Sequence, residues 1–280
     1  MTEAVETPGL TPAPSVRCVT AHNPSPMTLA GTNTYVVGAP EASAVVVVDP
    51  GPEEGAHEHL DAVLGAAGGR PIGLILVTHR HADHTGGTDV FHEATGAPVR
   101  AALPEHCRGG GEPLLDGERL ADDGGALAGV EILAWHTPGH TSDSCCFVLP
   151  GAGEAGAVLT GDTILGAGTT MLDHPDGTLA DYLDSLRRLE AAGPLTVLPA
   201  HGPFPAPLDV VARDYRHHRE GRLAQIEAAL EELEEDVLAR ITPEELTPMI
   251  YPGVGGTVGR VAEQTVAAHL EYLRHHAVGH

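Results

Sequence analysis

Short apolar runs alternate with stretches of helical periodicity along the first two thirds of the chain. The runs at residues 44–51 and 72–77 are rich in branched side chains, which is typical of buried strands. At residues 179–192 the leucines recur at helical spacing, which predicts an amphipathic helix. The predicted strands are 32–38, 44–51, 72–77, 97–101, 130–134, 145–149, 157–159 and 195–198. Strands followed by a helix, and the same order repeated, predict an α/β fold in which helices cover sheets.

The pattern changes after residue 207. Residues 208–240 read as one or two helices with a strongly acidic stretch at 231–236. Thr242, Pro243 and Glu245 form a good helix start, with Thr as N-cap, Pro at the first position and Glu three residues after the cap. A further helix is predicted at residues 261–273. We therefore expect a main domain at 1–207 and a small helical domain at 208–280, for which a winged-helix-like module is one interpretation.

The charge of the chain limits its partners. The chain has 280 residues, 42% of them hydrophobic, which is enough to bury a full core. Its net charge is −24, and all 15 basic side chains are arginine. A protein this acidic repels phosphate backbones unless it has a local basic patch. The composition therefore weighs against general nucleic-acid binding, and we expect no DNA partner.

The four cysteines and the N-terminus indicate the compartment. The cysteines lack C-x-x-C spacing, and the neighbours Cys145 and Cys146 would point to opposite faces of a strand, so we expect buried thiols in a reducing compartment. The N-terminus has neither the basic start nor the apolar core of a signal peptide. No apolar run approaches the roughly 20 residues that span a bilayer. We expect a soluble cytoplasmic protein without a membrane partner.

Three histidines and an aspartate follow the strand at 72–77 within six positions, which packing rarely requires. His79 and His81 are two residues apart, so on extended backbone they point the same way and could hold one ion. Asp83 and His84 come next and would face a second ion. Imidazole and carboxylate ligands favour zinc, with iron or manganese as alternatives. By contrast, we expect His57 and His59, on a helix predicted at 55–67, to face solvent.

This stretch resembles the metal-binding signature of the metallo-β-lactamase superfamily, His-x-His-x-Asp-His. Three later segments, Trp135–Thr141, Leu159–Thr163 and Pro199–Gly202, are similar to the other ligand segments of that superfamily and occur in the same order. The resemblance implies a four-layer αββα sandwich that binds two zinc ions. The ligands it implies are His79, His81 and His140 at the first ion, Asp83, His84 and His201 at the second, and Asp162 bridging both.

The resemblance extends beyond the ligands. In the superfamily an aspartate at the place of Asp49 commonly orients a metal ligand, although a simple turn aspartate before Pro-Gly is the other interpretation. Tyr215, Arg219 and Arg222 resemble the linker helix of the β-lactamase-like protein 2 branch, as do segments 31–35 and 164–170. That branch includes single-stranded-RNA endonucleases and thioesterases that act on carrier-bound polyketides.

The implied reaction is hydrolysis by a metal-bridged hydroxide. Asp83 would orient this hydroxide and could pass a proton to the leaving group. Two substrate classes stay open. An ester or thioester, on coenzyme A or an acyl-carrier protein, suits an acidic protein. Single-stranded RNA is the alternative, with Arg219 and Arg222 as phosphate contacts unless they are simply solvated. His174 is a candidate substrate contact. A scaffold without turnover would be expected to lack a ligand, and the oligomeric state stays open.

Overall fold

The computed structural model describes residues 13–120, 129–238 and 240–276. Within these ranges the strands form two five-stranded sheets, one with the order β1-β2-β3-β4-β5 and the other with the order β10-β9-β8-β7-β6. The first sheet contains β1 (Val16–Thr20), β2 (Asn33–Val37), β3 (Val45–Val48), β4 (Ile72–Leu76) and β5 (Val99–Arg100). The second contains β6 (Glu118–Leu120), β7 (Ile132–His136), β8 (Cys145–Leu149), β9 (Ala157–Gly161) and β10 (Thr196–Pro199).

Helices cover the outer face of each sheet. The helices are α1 (Ala56–Ala67), α2 (Ala82–Thr85), α3 (Thr88–Thr95), α4 (Leu179–Ala191), α5 (Leu208–Glu231), α6 (Glu235–Leu238), α7 (Pro243–Ile250) and α8 (Gly256–His276). Side chains of α1 and α3 pack on the first sheet, and side chains of α4, α5 and α8 pack on the second. The predicted four-layer sandwich of helices, two sheets and helices is therefore confirmed.

Alternation along the strands produces the layers. Successive side chains of a strand point to opposite faces, so a strand that is buried on both faces contributes to two cores. Val46 faces the second sheet, whereas Val47 packs beneath α1 and α3. Cys145 lies between the sheets and Cys146 lies beneath α4, which confirms that the two neighbouring thiols point apart. All four cysteines are free thiols.

Two strands were not predicted. On β1 only Val16 is fully buried, and on β6 only Leu120 is buried. Neither segment has the continuous apolar run that a strand buried on both faces shows. Both are edge strands, which pair on one side and expose part of their surface. Their pairing with β2 and β7, respectively, decides their conformation.

The C-terminal elements between residues 208 and 276 that the structure describes are all helices. The predicted start of α7 is confirmed: the Thr242 hydroxyl accepts from the Glu245 N–H at 3.3 Å, and the Thr242 N–H donates to the Glu245 carboxylate at 3.0 Å. Helix α5 begins in the core beside the second sheet and contributes Ile226 to a separate small core with α7 and α8. The division at residue 207 therefore stays a prediction, because one continuous helix belongs to both cores.

No helix in the described ranges combines the length and the apolar composition that crossing a membrane requires.

Replacing Leu186 with alanine should destabilise the whole fold. Leu186 is fully buried between α4 and the second sheet, so its loss leaves a cavity and forfeits buried apolar area. We expect the free energy of unfolding in urea to fall by about 2–5 kcal/mol. The matched control is Leu64→Ala, because Leu64 on α1 is 37% exposed and its loss should change the same free energy by about 0.5 kcal/mol or less. Equal effects of the two substitutions would contradict this description of the core.

Candidate metal centre

Loops at the carboxyl ends of four strands meet at one edge of the sandwich. After β4, a loop carries His79 and His81, and helix α2 carries Asp83 and His84. The turns after β7, β9 and β10 carry His140, Asp162 and His201, respectively. The structure brings all seven of these predicted residues together. Three overlapping groups have their ligand atoms within 4.8 Å of one another: His79–His81–His140, His79–His84–Asp162 and Asp83–His84–His201.

The first group consists of three imidazoles. The Nε2 of His79 lies 3.1 Å from Nδ1 of His81 and 3.3 Å from Nε2 of His140, and the latter two atoms are 3.1 Å apart. In a tetrahedral zinc site with bonds of about 2.0–2.1 Å, neighbouring nitrogens stand roughly 3.3 Å apart. The three inner nitrogens therefore have the spacing of one face of such a site.

Asp83, His84 and His201, here called the second group, lie beside a carboxylate oxygen of Asp162. Nε2 of His201 lies 3.1 Å from Oδ2 of Asp83 and 3.3 Å from Oδ1 of Asp162, and Nε2 of His84 lies 3.4 and 3.6 Å from the same two oxygens. The other Asp162 oxygen, Oδ2, is 3.7 Å from Nε2 of His140 in the first group. Asp162 thus divides its two oxygens between the two groups.

The outer nitrogens of four rings show which nitrogens have a free lone pair. His140 Nδ1 lies 2.8 Å from the Met171 carbonyl, and His201 Nδ1 lies 3.2 Å from the Gly31 carbonyl. His81 and His84 each place the outer nitrogen near a carboxylate oxygen, at 3.0 Å for Asp173 and 2.8 Å for Asp49. A carbonyl or carboxylate can only accept, so each outer nitrogen carries a proton, and when the ring is neutral its inner nitrogen presents a lone pair.

These residues fit a divalent metal ion. Lone pairs that face one another at about 3 Å repel unless a cation lies between them. Two buried atoms of the cluster, His84 Nε2 and Asp162 Oδ1, have no hydrogen-bond partner among the described residues. Buried polar atoms without a hydrogen-bond partner are rare, and a metal ion bound by His84 and Asp162 would account for both of these. Nitrogen and carboxylate ligands together suit zinc and the neighbouring transition metals.

The two groups differ in charge. Burial, together with the neighbouring histidines, holds the pKa of His79 well below its usual value, and burial lowers the pKa of His140 to about 4, so both rings are neutral at pH 7. At His84 burial also disfavours the charged ring, but Asp83, Asp49 and Asp162 outweigh it and raise the pKa well above its usual value. The second group therefore attracts positive charge strongly.

Asp49 organises the segment after β4, which carries four of the seven residues. Its carboxylate accepts hydrogen bonds from the N–H and the hydroxyl of Thr78, each at 2.8 Å, in addition to the His84 ring. Its φ of 56° lies in the left-handed region, which aspartate tolerates better than most residues. Asp49 is 2% exposed. The interpretation that it orients a ligand is therefore supported over that of a simple turn residue.

The prediction that His59 faces solvent is wrong, whereas His57 is exposed as predicted. His59 is buried, and its Nε2 lies 2.7 Å from the Thr34 hydroxyl, which donates to the Asp49 carbonyl at 2.5 Å. His59 stands with Leu60 and Val63 on the buried face of α1. Helical spacing from these two apolar residues is the sequence signal that places His59 on that face.

Two residues at the start of β2 hold the loop that carries His201. This role was not predicted from the sequence. The Asn33 side-chain amide donates to the carbonyls of Pro199 and Gly202 at 3.0 and 3.1 Å. The Tyr35 hydroxyl also donates to the Pro199 carbonyl, at 2.8 Å. These bonds join the first sheet to the end of β10 in the second. Polar side chains on an otherwise buried strand were the only signal of this role.

The three candidate substrate contacts lie outside the cluster. His174 Nε2 lies 2.5 Å from the Glu271 carboxylate on α8. Arg219 is buried and donates to the Thr170 carbonyl, so the expectation that it is solvated is wrong for this residue. Arg222 lies over the Tyr251 ring, 4.2 Å from its centroid, and donates to Gln225 at 2.6 Å. A direct contact of these side chains with substrate stays a prediction.

The region that contains the cluster is similar to a known protein family. A family model described as the metallo-beta-lactamase superfamily matches residues 27–201, which include Asp49 and all seven residues of the cluster. A solved structure of a metallo-beta-lactamase family protein from Thermus thermophilus superimposes with a TM-score of 0.74 at 25% identity, and the match covers 94% of each chain.

Two curated relatives resemble most of the chain. An atrochrysone carboxyl ACP thioesterase from Aspergillus fumigatus is 35% identical over 194 residues, which are 68% of this chain. The chain spans only 56% of the length of that thioesterase. A beta-lactamase-like protein 2 homolog from Caenorhabditis elegans is 32% identical over 245 residues, which are 85% of this chain and 76% of the relative.

His59 should make stability depend on pH. Burial lowers its pKa to about 4 from the 6.5 of a free imidazole, so below pH 6.5 the unfolded chain takes up a proton first and the folded state loses stability. At pH 5 this loss amounts to about 2 kcal/mol. His59→Gln removes the titrating group. Between pH 7.5 and pH 5, the free energy of unfolding in urea should therefore fall by that amount more for wild type than for the variant. The exposed His57→Gln is the control, and a parallel pH dependence of His59→Gln and wild type would contradict the assignment.

Proposed function

This chain belongs to the metallo-beta-lactamase superfamily, and we propose that it is a metal-dependent hydrolase of acyl thioesters or esters carried on coenzyme A or an acyl-carrier protein. The observation that supports hydrolysis most directly is the convergence of inner imidazole nitrogens and Asp162 oxygens on two adjacent points. In the proposed assignment, His79, His81 and His140 would hold the first ion and Asp83, His84 and His201 would hold the second. Asp162 would contribute a carboxylate oxygen to each group.

Zinc is the proposed metal, with iron or manganese as alternatives. Bound there, two divalent ions would lower the pKa of a water toward about 7 and polarise the oxygen of the scissile bond. The protein contributes the geometry. Neutral His79 and His140 present lone pairs at pH 7, and Asp49 holds His84 in the required tautomer.

Asp83 is suited to orienting the attacking water. Its side chain is 27% exposed, whereas those of His84 and His201 are at most 1% exposed, so it lies toward the open side of the cluster. Burial opposes its charge, but His84 and His201 outweigh burial and hold the pKa of Asp83 far below its usual value. At pH 7 the Asp83 carboxylate is therefore ionised. It can accept a hydrogen bond from water, but it carries no proton to donate to a leaving group.

This chemistry favours a leaving group that departs without a proton. In thioester hydrolysis the water oxygen forms a bond to the carbonyl carbon and the carbon–sulfur bond breaks, which yields a carboxylate and a thiolate. The two protons of the water pass to solvent, and below the pKa of the thiol one of them protonates the thiolate. A free thiol has a pKa of about 8.5, so the thiolate is a good leaving group near neutral pH. An alkoxide or amine leaving group would need a general acid. The thioester is therefore the better match to an Asp83 that is ionised at neutral pH.

The relatives and the arginines support the same substrate class. The Aspergillus fumigatus relative is named as a thioesterase of an acyl-carrier protein. Of the two arginines considered as RNA contacts, Arg219 is buried on the Thr170 carbonyl and Arg222 is engaged with Gln225 and Tyr251. The net charge of −24 on this chain would also repel RNA at long range. Single-stranded RNA remains the alternative that the substrate experiment addresses.

Loss of a ligand should remove metal and activity together. We expect His81→Ala and Asp162→Ala to bind fewer ions per chain, measured by elemental mass spectrometry, and to lose more than roughly 100-fold in turnover. His57→Ala changes an exposed histidine on α1 and should leave both quantities unchanged. Full turnover by a metal-depleted variant would refute a metal-dependent mechanism.

The substrate class is decided by a direct comparison. Zinc-loaded protein is incubated with acyl-coenzyme A thioesters of different chain length, and released thiol is measured with a chromogenic disulfide. The same preparation is incubated with end-labelled single-stranded RNA, and His81→Ala controls for contaminating enzymes in both assays. We expect thiol release from wild type alone. RNA cleavage that disappears in His81→Ala, without thiol release, would replace this proposal with the endoribonuclease alternative.

A further inference from the structure

Residues 170–174, here called the supporting segment, carry the acceptors of two first-group rings. The Met171 carbonyl lies 2.8 Å from Nδ1 of His140, and the Asp173 carboxylate lies 3.0 Å from Nε2 of His81. These two bonds set the tautomer and the orientation of the rings, so the position of this backbone determines where two of the three inner lone pairs point.

The supporting segment contains no helix or strand, so its contacts with other elements position it. Arg219 of α5, itself buried, donates to the carbonyl of Thr170, the residue before Met171. Glu271 of α8 lies 2.5 Å from the ring of His174, the residue after Asp173. Helices α5 and α8 therefore hold the supporting segment on both sides of its two acceptors.

The main domain also holds the supporting segment. Arg80 donates to the Asp173 carboxylate, and the Asp173 N–H donates to the His140 carbonyl at 2.9 Å. These bonds keep the acceptors near their rings when a helix contact is lost. The contribution of α5 and α8 is therefore a refinement of position, and its loss should weaken metal binding without abolishing it.

The acceptors of the second group come from the opposite side of the site. Asp49 follows β3 and Gly31 precedes β2, and they serve His84 and His201. Both residues flank strands of the first sheet, and neither ring has its acceptor in the supporting segment. One contact joins the two regions, because the Gly166 N–H donates to the His201 carbonyl, but it lies outside residues 170–174 and does not involve the ring.

We propose that the C-terminal helices α5 and α8 act as positioning elements for the first metal group: through Arg219 and Glu271 they set its metal affinity and leave that of the second group unchanged. This inference rests on the ligand assignment of the proposed function. It is independent of which substrate the enzyme hydrolyses.

The test separates the two groups. In a His201→Ala background the first group is intact, and in a His81→Ala background the second group keeps its three ligands. Glu271→Ala is introduced into each, because Glu271 is partly exposed and alanine favours the helix. The zinc dissociation constant is measured by competition with a chromophoric chelator. We expect a rise of roughly 3- to 10-fold in the first background, below the 10–100-fold cost of losing a direct partner of a ligand, and less than twofold in the second.

Matched controls address general destabilisation. Glu263→Ala changes the same residue type two turns earlier on α8, where the side chain makes no hydrogen bond to the supporting segment in the described part of the chain. Arg219→Met repeats the test from α5, with Arg213→Met as its control, because Arg213 pairs with Glu190 instead. If Arg219→Met does not fold, Glu271→Ala decides the question.

Native mass spectrometry of the otherwise unchanged protein provides a second measurement. Under increasing chelator, Glu271→Ala should reach the one-ion form at a lower concentration than wild type and Glu263→Ala. Equal weakening of both groups, weakening of the second alone, or no change in either would overturn the inference. A wild-type protein that binds no divalent ion would instead overturn the proposed function and this inference with it.

Discussion

The site depends on one constraint: an imidazole presents a free lone pair at its inner nitrogen only when its proton is held at the outer one. Four of the five rings in the cluster have a carbonyl or carboxylate that holds this proton. Without these acceptors, rings 3.1–3.3 Å apart would share protons with each other and lose their affinity for a cation. The architecture of the protein follows from the need to supply these acceptors at fixed positions.

The two-sheet sandwich meets this need from two sides. Strand ends of both sheets meet at one edge, so ligands from distant parts of the chain converge without long loops. The first sheet supplies the acceptors of the second group through Asp49 and Gly31. The supporting segment, held by α5 and α8, supplies the acceptors of two first-group rings, His81 and His140. The C-terminal helices therefore contribute to the site although they provide none of its seven residues.

Much of the fold could be predicted because its signals are local. Apolar runs predicted eight of the ten described strands, leucine spacing predicted α4, and the Thr-Pro-Glu-Glu stretch predicted the start of α7. The edge strands β1 and β6 escaped because pairing decides their conformation. His59 was misplaced because a histidine on a helix usually faces solvent, whereas the hydroxyl of Thr34 on a neighbouring strand gives this ring a hydrogen-bond partner in the interior.

By itself the sequence determined the layered α/β class and, through resemblance of four short motifs, the seven residues that converge. Those residues follow apolar strands at short, fixed distances along the chain, so their identity is a local property. Tertiary structure alone decided which acceptor holds each ring, that Arg219 is buried, and that α8 reaches the supporting segment through Glu271. The physical reason is that a hydrogen bond between residues 31 and 201, or 81 and 173, depends on a position in space that no spacing along the chain encodes.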